Sequence, residues 1–187
     1  PGAGTHNFFY VLQHGNSWIL SHQVLSDGKS STPRVVDYVI KSSRPYSLIS
    51  DTAGSIYAFY PASDGRYYQM GYKKYIPAQK YWSEFTPVSR FEGDCEIPSA
   101  VADGKNIIHI CYQRRSSRQY ELVYQQKVPD KNIWTDEAVI HSSSYPFNNS
   151  SILIAGDNIF IFWVRDDIIY YSSSRDWGIT WTKPAKY

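Results

Sequence analysis

Three stretches of the chain share one pattern of apolar positions. Residues 55–60, 107–112 and 158–163 are apolar runs that end in an aromatic side chain, and the final aromatics stand 52 and 51 positions apart. Each run follows a turn that contains a glycine, at Gly54, Gly104 and Gly156. A recurrence of 20 to 50 residues or so indicates a repeat architecture, so these stretches predict structurally equivalent segments.

Each repeat contains four short runs that we interpret as β-strands. One run lies before the glycine turn, the aromatic-ended run follows it, and a third and a fourth come after. Tryptophans mark the fourth run, at Trp82, Trp134 and Trp181. Side chains alternate between the two faces at period 2 within these runs, and Asp-Gly pairs at 64–65 and 103–104 suit tight hairpin turns. Repeated four-stranded antiparallel units predict an all-β fold, a β-propeller.

The repeats divide the chain into about four blades. Their approximate bounds are 6–40, 45–88, 96–140 and 150–187. The first blade is incomplete, since the runs in it match only the second, third and fourth strands. We therefore expect a single β-propeller domain, or a segment of a larger propeller. Closure would come from a four-blade ring, from pairing of the open sheet edges with another chain, or from further blades of a longer parent protein.

Composition narrows the classes of partner. Aromatic residues are 17% of the 187 residues, charged residues are 19%, and the net charge is +2. A charge this small does not favour binding to a phosphate backbone, and no apolar window approaches a membrane span. We expect no nucleic-acid partner and no membrane span.

One segment carries a recognisable motif. Residues 174–181 match S-x-D-x-G-x-T-W at all five defining positions. Those positions are Ser174, Asp176, Gly178, Thr180 and Trp181. On this match the chain resembles the Asp-box (BNR) repeat proteins, whose best-known members are sialidases. The resemblance implies a structural turn between the third and fourth strands, away from the ligand face, and it favours an extracellular or cell-surface location.

The sequence departs from the sialidase pattern at its arginine motif, which argues against sialidase activity in this segment. Sialidases bind the substrate carboxylate with an arginine cluster, whose first member lies in an aromatic-R-I-P motif, and they use a Tyr/Glu nucleophilic pair. The nearest match here reads Cys-Glu-Ile-Pro at 95–98, with Glu96 in place of arginine. A carboxylate cannot bind another carboxylate as a guanidinium does. We therefore lean towards a chain that is not an enzyme; if it is one, it would be a glycoside hydrolase.

The loops opposite the motif form the candidate ligand face. Its candidate ligand-binding residues are Arg44, Arg90, Arg114, Arg115, Arg165, Tyr145 and Phe147. Candidates for catalytic carboxylates are Asp94, Glu96, Asp166 and Asp167. Aromatic rings beside arginines and carboxylates suit sugar binding. The alternative is that these charges form a solvated rim with no ligand.

The remaining residue types add little chemistry. Cys95 and Cys111 flank a hairpin turn symmetrically, so a cross-strand disulfide is one interpretation, and two buried thiols are the other. Neither histidine spacing nor any C-x-x-C pair indicates a metal, and we expect no cofactor.

Three functions stay open. The first is a binding or scaffold module that recognises carbohydrate or a protein partner through its loop face. The second is a sialidase-like glycoside hydrolase, and the third is a structural assembly domain that associates through its open sheet edges.

Overall fold

A computed structural model describes residues 5–39, 46–128, 131 and 133–187. All regular structure among these residues is β-strand, arranged as four antiparallel sheets. The predicted all-β architecture of repeated antiparallel sheets is confirmed; three of the described sheets have four strands and one has five, because two short strands pair with its third strand. The chain divides into two compact units, Pro1–Lys41 and Ser42–Tyr187.

The first unit is one sheet. Its strands are β1 (His6–His14), β2 (Ser17–Ser26), β3 (Lys29–Ser30) and β4 (Arg34–Val39). β2 pairs with β1 across a two-residue turn in which Gly15 has φ +61°, and it pairs with β4 on its other side. The short β3 extends only the end of β2. Within the described residues this sheet therefore lacks a long strand ahead of β1.

The second unit contains three sheets. The first has β5 (Ser47–Ser50), β6 (Ile56–Ser63), β7 (Tyr68–Ile76), β8 (Tyr81–Trp82) and β9 (Thr86–Pro87). The middle sheet has β10 (Asp94–Ala102), β11 (Ile108–Ser116), β12 (Gln119–Gln126) and β13 (Ala138–Ser143). The last has β14 (Asn148–Ala155), β15 (Asn158–Arg165), β16 (Ile168–Ser174) and β17 (Ala185–Lys186). Each strand pairs with its neighbour in chain order, except that β8 and β9 both pair with β7.

Two apolar cores hold these three sheets together, one on each face of the middle sheet. Ile110 and Tyr112 of β11 point into the first core, where they meet Phe59 and its neighbours on the preceding sheet. Cys111, on the opposite face, joins the second core with Trp163 of the last sheet. Both faces of the first half of β11 are buried, and Ile108–Tyr112 is accordingly apolar apart from His109 and shows no simple alternation.

Hydrogen bonds repeat between successive sheets at the spacing of the sequence repeat. The Ala100 backbone N–H donates to Ser47 Oγ at 3.0 Å, and the Ile152 backbone N–H donates to Ser99 Oγ at 3.1 Å. Both bonds join residues 53 positions apart. The leading strands β5, β10 and β14 are therefore equivalent in structure as well as in sequence.

Candidate functional site

An open cleft of about 840 Å³ lies where the β11–β12 hairpin meets the end of β13. Its lining includes Phe91, Arg114, Arg118, Gln119 and Glu121, with serines at 116–117 and 142–144. We call it the Phe91 cleft. The hairpin turn supplies the outer residues, while Arg114 and Glu121 are cross-strand partners at its base.

Arg114 is the centre of the charged groups at the base of the cleft. Its Nε donates to Glu121 Oε2 at 2.7 Å, and its Nη1 donates to Glu137 Oε2. The guanidinium carbon also lies 4.4 Å from the centroid of the Phe91 ring. The Arg114 and Glu137 side chains are each only 16% exposed, so solvent screens their pairing little.

Tyr112 connects these charges to the protein core. Its hydroxyl contacts Glu137 Oε1 and lies 2.7 Å from Gln125 Oε1. Burial raises the pKa of Tyr112 well above its ordinary value, so the hydroxyl stays protonated as a hydrogen-bond donor. Since Tyr112 is fully buried, it positions Glu137 and does not contact the cleft itself.

Glu96 lies at a distorted point of the leading strand. A β-bulge separates Glu96 from Ser99, and Ile97 has φ +56°, an unfavourable conformation for a β-branched residue. Gln113 donates to Glu96 Oε1 at 2.8 Å and accepts the Phe147 backbone N–H at 2.6 Å. The bulge thus turns Glu96 towards Gln113, where it is half-buried.

The other three predicted carboxylates have local contacts. Asp94 is exposed and accepts the Tyr68 backbone N–H at 3.0 Å. Asp166 and Asp167 form the two-residue turn between β15 and β16, with φ +51° and +58°. Positive φ at both turn residues is the geometry of a type I′ hairpin, which asparagine, aspartate and glycine favour.

The predicted arginines lie at different places. Arg44 is outside the described residues. Arg90 is exposed and lines a second cleft of about 490 Å³, together with Trp134 and Glu137. Arg115 stacks on the Tyr120 ring at 5.4 Å, and Arg165 stacks on Tyr170 at 5.1 Å. Arg114 alone of the five predicted arginines lines the Phe91 cleft in the described structure.

The two predicted aromatics differ sharply. Tyr145 is exposed, as expected for a residue of a ligand face. The prediction that Phe147 offers aromatic surface is wrong, because its side chain is completely buried. It packs in the second core against His141 and Trp163, with ring centroids 5.8 and 6.3 Å away.

The disulfide interpretation is also wrong, since both cysteines are buried free thiols. Because the hairpin closes with Ala102 opposite Ile108, Cys111 pairs with Ser99 and not with Cys95. Beyond the bulge in β10, Cys95 lies opposite Arg114. Cys95 therefore faces the first core and Cys111 faces the second. Side chains on opposite faces of a sheet cannot reach the geometry of a disulfide.

Residues 174–181 form a closely hydrogen-bonded turn. Asp176 Oδ1 accepts bonds of 2.8 Å from the Thr180 backbone N–H and from the Ser174 hydroxyl. Bonds from Thr180 and Ser174 lower the pKa of Asp176 to about 2. Gly178 has φ +87°, and the Trp181 indole donates to its carbonyl at 3.1 Å. Each motif residue therefore has a role in closing the turn.

Sequence reasoning missed Glu121 and Glu137. A usable signal existed for Glu121, because it and Arg114 are equidistant from the 117–118 turn and must face each other across a two-residue hairpin. No such signal exists for Glu137, since it reaches Arg114 from the segment before β13.

Two kinds of feature are not found in the described part of the chain. No cluster of three or more metal-binding side chains occurs among those residues. Nor do they include a helix of the length and apolar character needed to cross a membrane.

Comparison with protein-family models and with curated proteins finds no match. Solved structures do match. The Trypanosoma rangeli sialidase bound to the inhibitor DANA superposes with a TM-score of 0.67 at 13% identity, over 97% of this chain and 36% of the sialidase chain. A thermostable family-43 glycoside hydrolase superposes with a TM-score of 0.56 at 12% identity, over 100% of this chain and 73% of the hydrolase chain. A polysaccharide lyase superposes with a TM-score of 0.61 at 9% identity, over 98% of this chain and 47% of the lyase chain.

The fold is that of a partial β-propeller. Identities of 9–13% support the fold and nothing finer. The chain spans well under two thirds of the sialidase and the lyase that it matches.

Proposed function

We propose that this chain is a carbohydrate-binding β-propeller module whose ligand occupies the Phe91 cleft. The observation that carries the proposal is the lining of the cleft, where five serines, Gln119 and Arg118 surround the Phe91 ring and the Arg114–Glu121 pair. Sugars present many hydroxyls beside apolar C–H faces, and such a lining can bond the hydroxyls while the ring contacts the C–H face.

The charge arrangement favours a neutral glycan. Glu121 and Glu137 already balance the charge of the Arg114 guanidinium, so this group attracts a ligand carboxylate only weakly. Glu121 also lines the cleft and repels an anion. Arg118 is exposed at the cleft and supplies donors for hydroxyl groups. Neutral oligosaccharides should therefore bind better than sialylated ones.

The test is a glycan array followed by titration calorimetry with the best neutral oligosaccharide. Glu121→Gln and Arg118→Ala should each weaken binding about tenfold, as expected for the loss of one charge-assisted hydrogen bond. Arg66→Ala is the matched control, because Arg66 is also exposed and stacks on its own neighbour Tyr67 at 4.9 Å. No glycan binding, or equal losses in all three variants, would refute the proposal.

Glycoside hydrolysis is the second candidate, favoured by one observation: Glu121 and Glu137 approach the same guanidinium. Hydrolysis by a carboxylate pair requires one group to donate a proton, whereas both glutamates here accept hydrogens from Arg114. Binding without turnover is therefore the better-supported function. Release of dye from fluorogenic glycosides, abolished by Glu121→Gln in a folded protein, would reverse this order. Loss with Glu96→Gln instead would favour the bulge carboxylate.

We further propose that the 174–181 turn is an Asp-box with a purely structural role. Its hydrogen bonds are internal, and Trp181 packs on Tyr124 with ring centroids 4.9 Å apart. Asp176→Asn should therefore change stability and leave glycan affinity unchanged in the same calorimetric titration. A change in affinity without a change in stability would count against this role.

A further inference from the structure

The last sheet exposes a face that is buried in the two sheets before it. Ser47, Ser99 and Ser151 lie opposite Phe59, Cys111 and Phe162, at equivalent places in the three sheets. In the same register Phe59 pairs with Tyr72, Cys111 with Tyr124 and Phe162 with Tyr171. We call this equivalent surface the trailing face of each sheet.

Each of the first two trailing faces is covered by the sheet that follows it. Trp134, from the middle sheet's repeat, packs on Phe59 and Tyr72 with ring centroids 5.9 and 6.1 Å away. Trp181, from the last repeat, packs in the same way on Tyr124. Phe59 is completely buried and Tyr124 nearly so as a result. The interface between sheets is thus one arrangement, used twice.

The third trailing face is apolar but open. Phe160 and Phe162 stack at 6.2 Å and remain half-buried, and Tyr171 lies 5.9 Å from Phe162. Leu153 and Ile169, on the same face, are 42% and 44% exposed. Contiguous exposed apolar surface of this kind marks a site of association.

The sheet of the first unit exposes an apolar face that corresponds to the side of a sheet opposite its trailing face. Leu12, Ile19 and Tyr38 are in register across β1, β2 and β4, so they share one face, and Phe8 lies on it as well. Leu12 is 52% exposed and Tyr38 is 63% exposed. Leu12 lies two residues before the end of β1, and Trp163 lies two residues before the end of β15; both strands lead into a two-residue hairpin turn, so the two positions are equivalent. It is therefore on the leading face, the face that in the second unit packs against a preceding sheet.

We infer that this chain associates head to tail with a second copy, the leading face of one copy's first unit packing on the trailing face of the other's last sheet. The occupant is a second copy because the chain itself carries an open face of each kind, and because the contact would continue an interface already present twice. The two surfaces are different, so the association is heterologous and extends to larger assemblies or closes as a ring.

Sedimentation velocity over a rising concentration series tests this inference. The wild-type protein should form dimers or larger species. Leu12→Lys on the leading face and Ile169→Lys on the trailing face should each raise the dissociation constant at least about tenfold. Both positions are exposed, so circular dichroism should show unchanged folding. Tyr145→Lys is the control, since Tyr145 is 71% exposed and lies on neither face.

Mixing the two variants separates head-to-tail association from other modes. Each variant keeps the face that the other lacks, so the mixture should form a dimer and go no further. A monomeric wild-type protein at the highest concentration would overturn the inference. So would self-association of Leu12→Lys at wild-type strength, because that result would show trailing faces pairing with each other.

Discussion

Replacing Arg114 should destabilise the protein far more than an ordinary surface substitution. Arg114→Met keeps the length of the side chain but leaves Glu137, only 16% exposed, without its cation. Breaking a buried ion pair costs roughly 3–5 kcal/mol, and the slight exposure here places the expected loss near 3 kcal/mol. That loss is a large part of the 5–15 kcal/mol by which a typical domain is stable.

The assay is urea unfolding followed by tryptophan fluorescence, with the free energy of unfolding extrapolated to water. Arg115→Met is a close control, because Arg115 is the next residue in β11 but is exposed, and its side chain stacks on the Tyr120 ring. It should change stability by less than about 0.5–1 kcal/mol. Arg114→Met with Glu137→Gln should recover at least half of the loss, since the unpaired charge is gone.

The deficit should also depend on pH. Glu137 in Arg114→Met has lost its cation, so protonation relieves the buried charge and the gap to wild type should narrow as pH falls. An Arg114→Met protein within about 1 kcal/mol of wild type, with a gap that pH does not alter, would refute the role given to this pair.

Three further predictions follow from the described geometry. Gly178→Ala should lower the thermal unfolding midpoint more than Gly54→Ala does. Both glycines have positive φ, but a Cβ at Gly178 would collide with the Tyr124 ring, whereas a Cβ at Gly54 would meet open space. Burial lowers the pKa of His109 below its ordinary 6.5, so the unfolded state binds the proton more readily than the folded state. The free energy of unfolding should therefore fall as pH drops below about 6.5, and His109→Gln should reduce this pH dependence. Both cysteines should react with a thiol reagent only after unfolding, and a reducing agent should leave the unfolding midpoint unchanged.

The repeat in the sequence was sufficient to predict the sheets, because strand pairing here is local. Each strand of the second unit pairs with a close neighbour in the chain, so the hairpin turns and the apolar runs determine most of the ladder. The turn at 174–181 was likewise readable, since its hydrogen bonds join residues at most four apart.

Features that depend on register or on contacts between sheets could not be read in this way. The β10–β11 hairpin closes at Ala102 and Ile108, so it is not centred on the Asp-Gly pair between the two cysteines. The bulge in β10 then turns Cys95 to the face opposite that of Cys111, and the symmetrical spacing is misleading. Phe147 lies between Pro146 and two asparagines in a largely polar segment, yet a contact with Trp163 buries it. Glu137 meets Arg114 only after folding, 23 residues away in the chain.

Tyr112 connects the Phe91 cleft to the core through its contacts with Gln125 and Glu137. A comparison of Tyr112 with Tyr124 tests whether this connection matters for stability. Tyr112→Phe and Tyr124→Phe each remove a buried hydroxyl with a 2.7 Å partner, Gln125 Oε1 in one case and His109 Nδ1 in the other. Each should cost about 1 kcal/mol or slightly more. Tyr112 also contacts Glu137, so a double-mutant cycle with Arg114→Met should give a coupling energy of at least about 0.5 kcal/mol for Tyr112 and near zero for Tyr124. Equal coupling in the two cycles would show that the cleft is held in place by general packing and not by the hydrogen-bonded path from Tyr112 through Glu137 to Arg114.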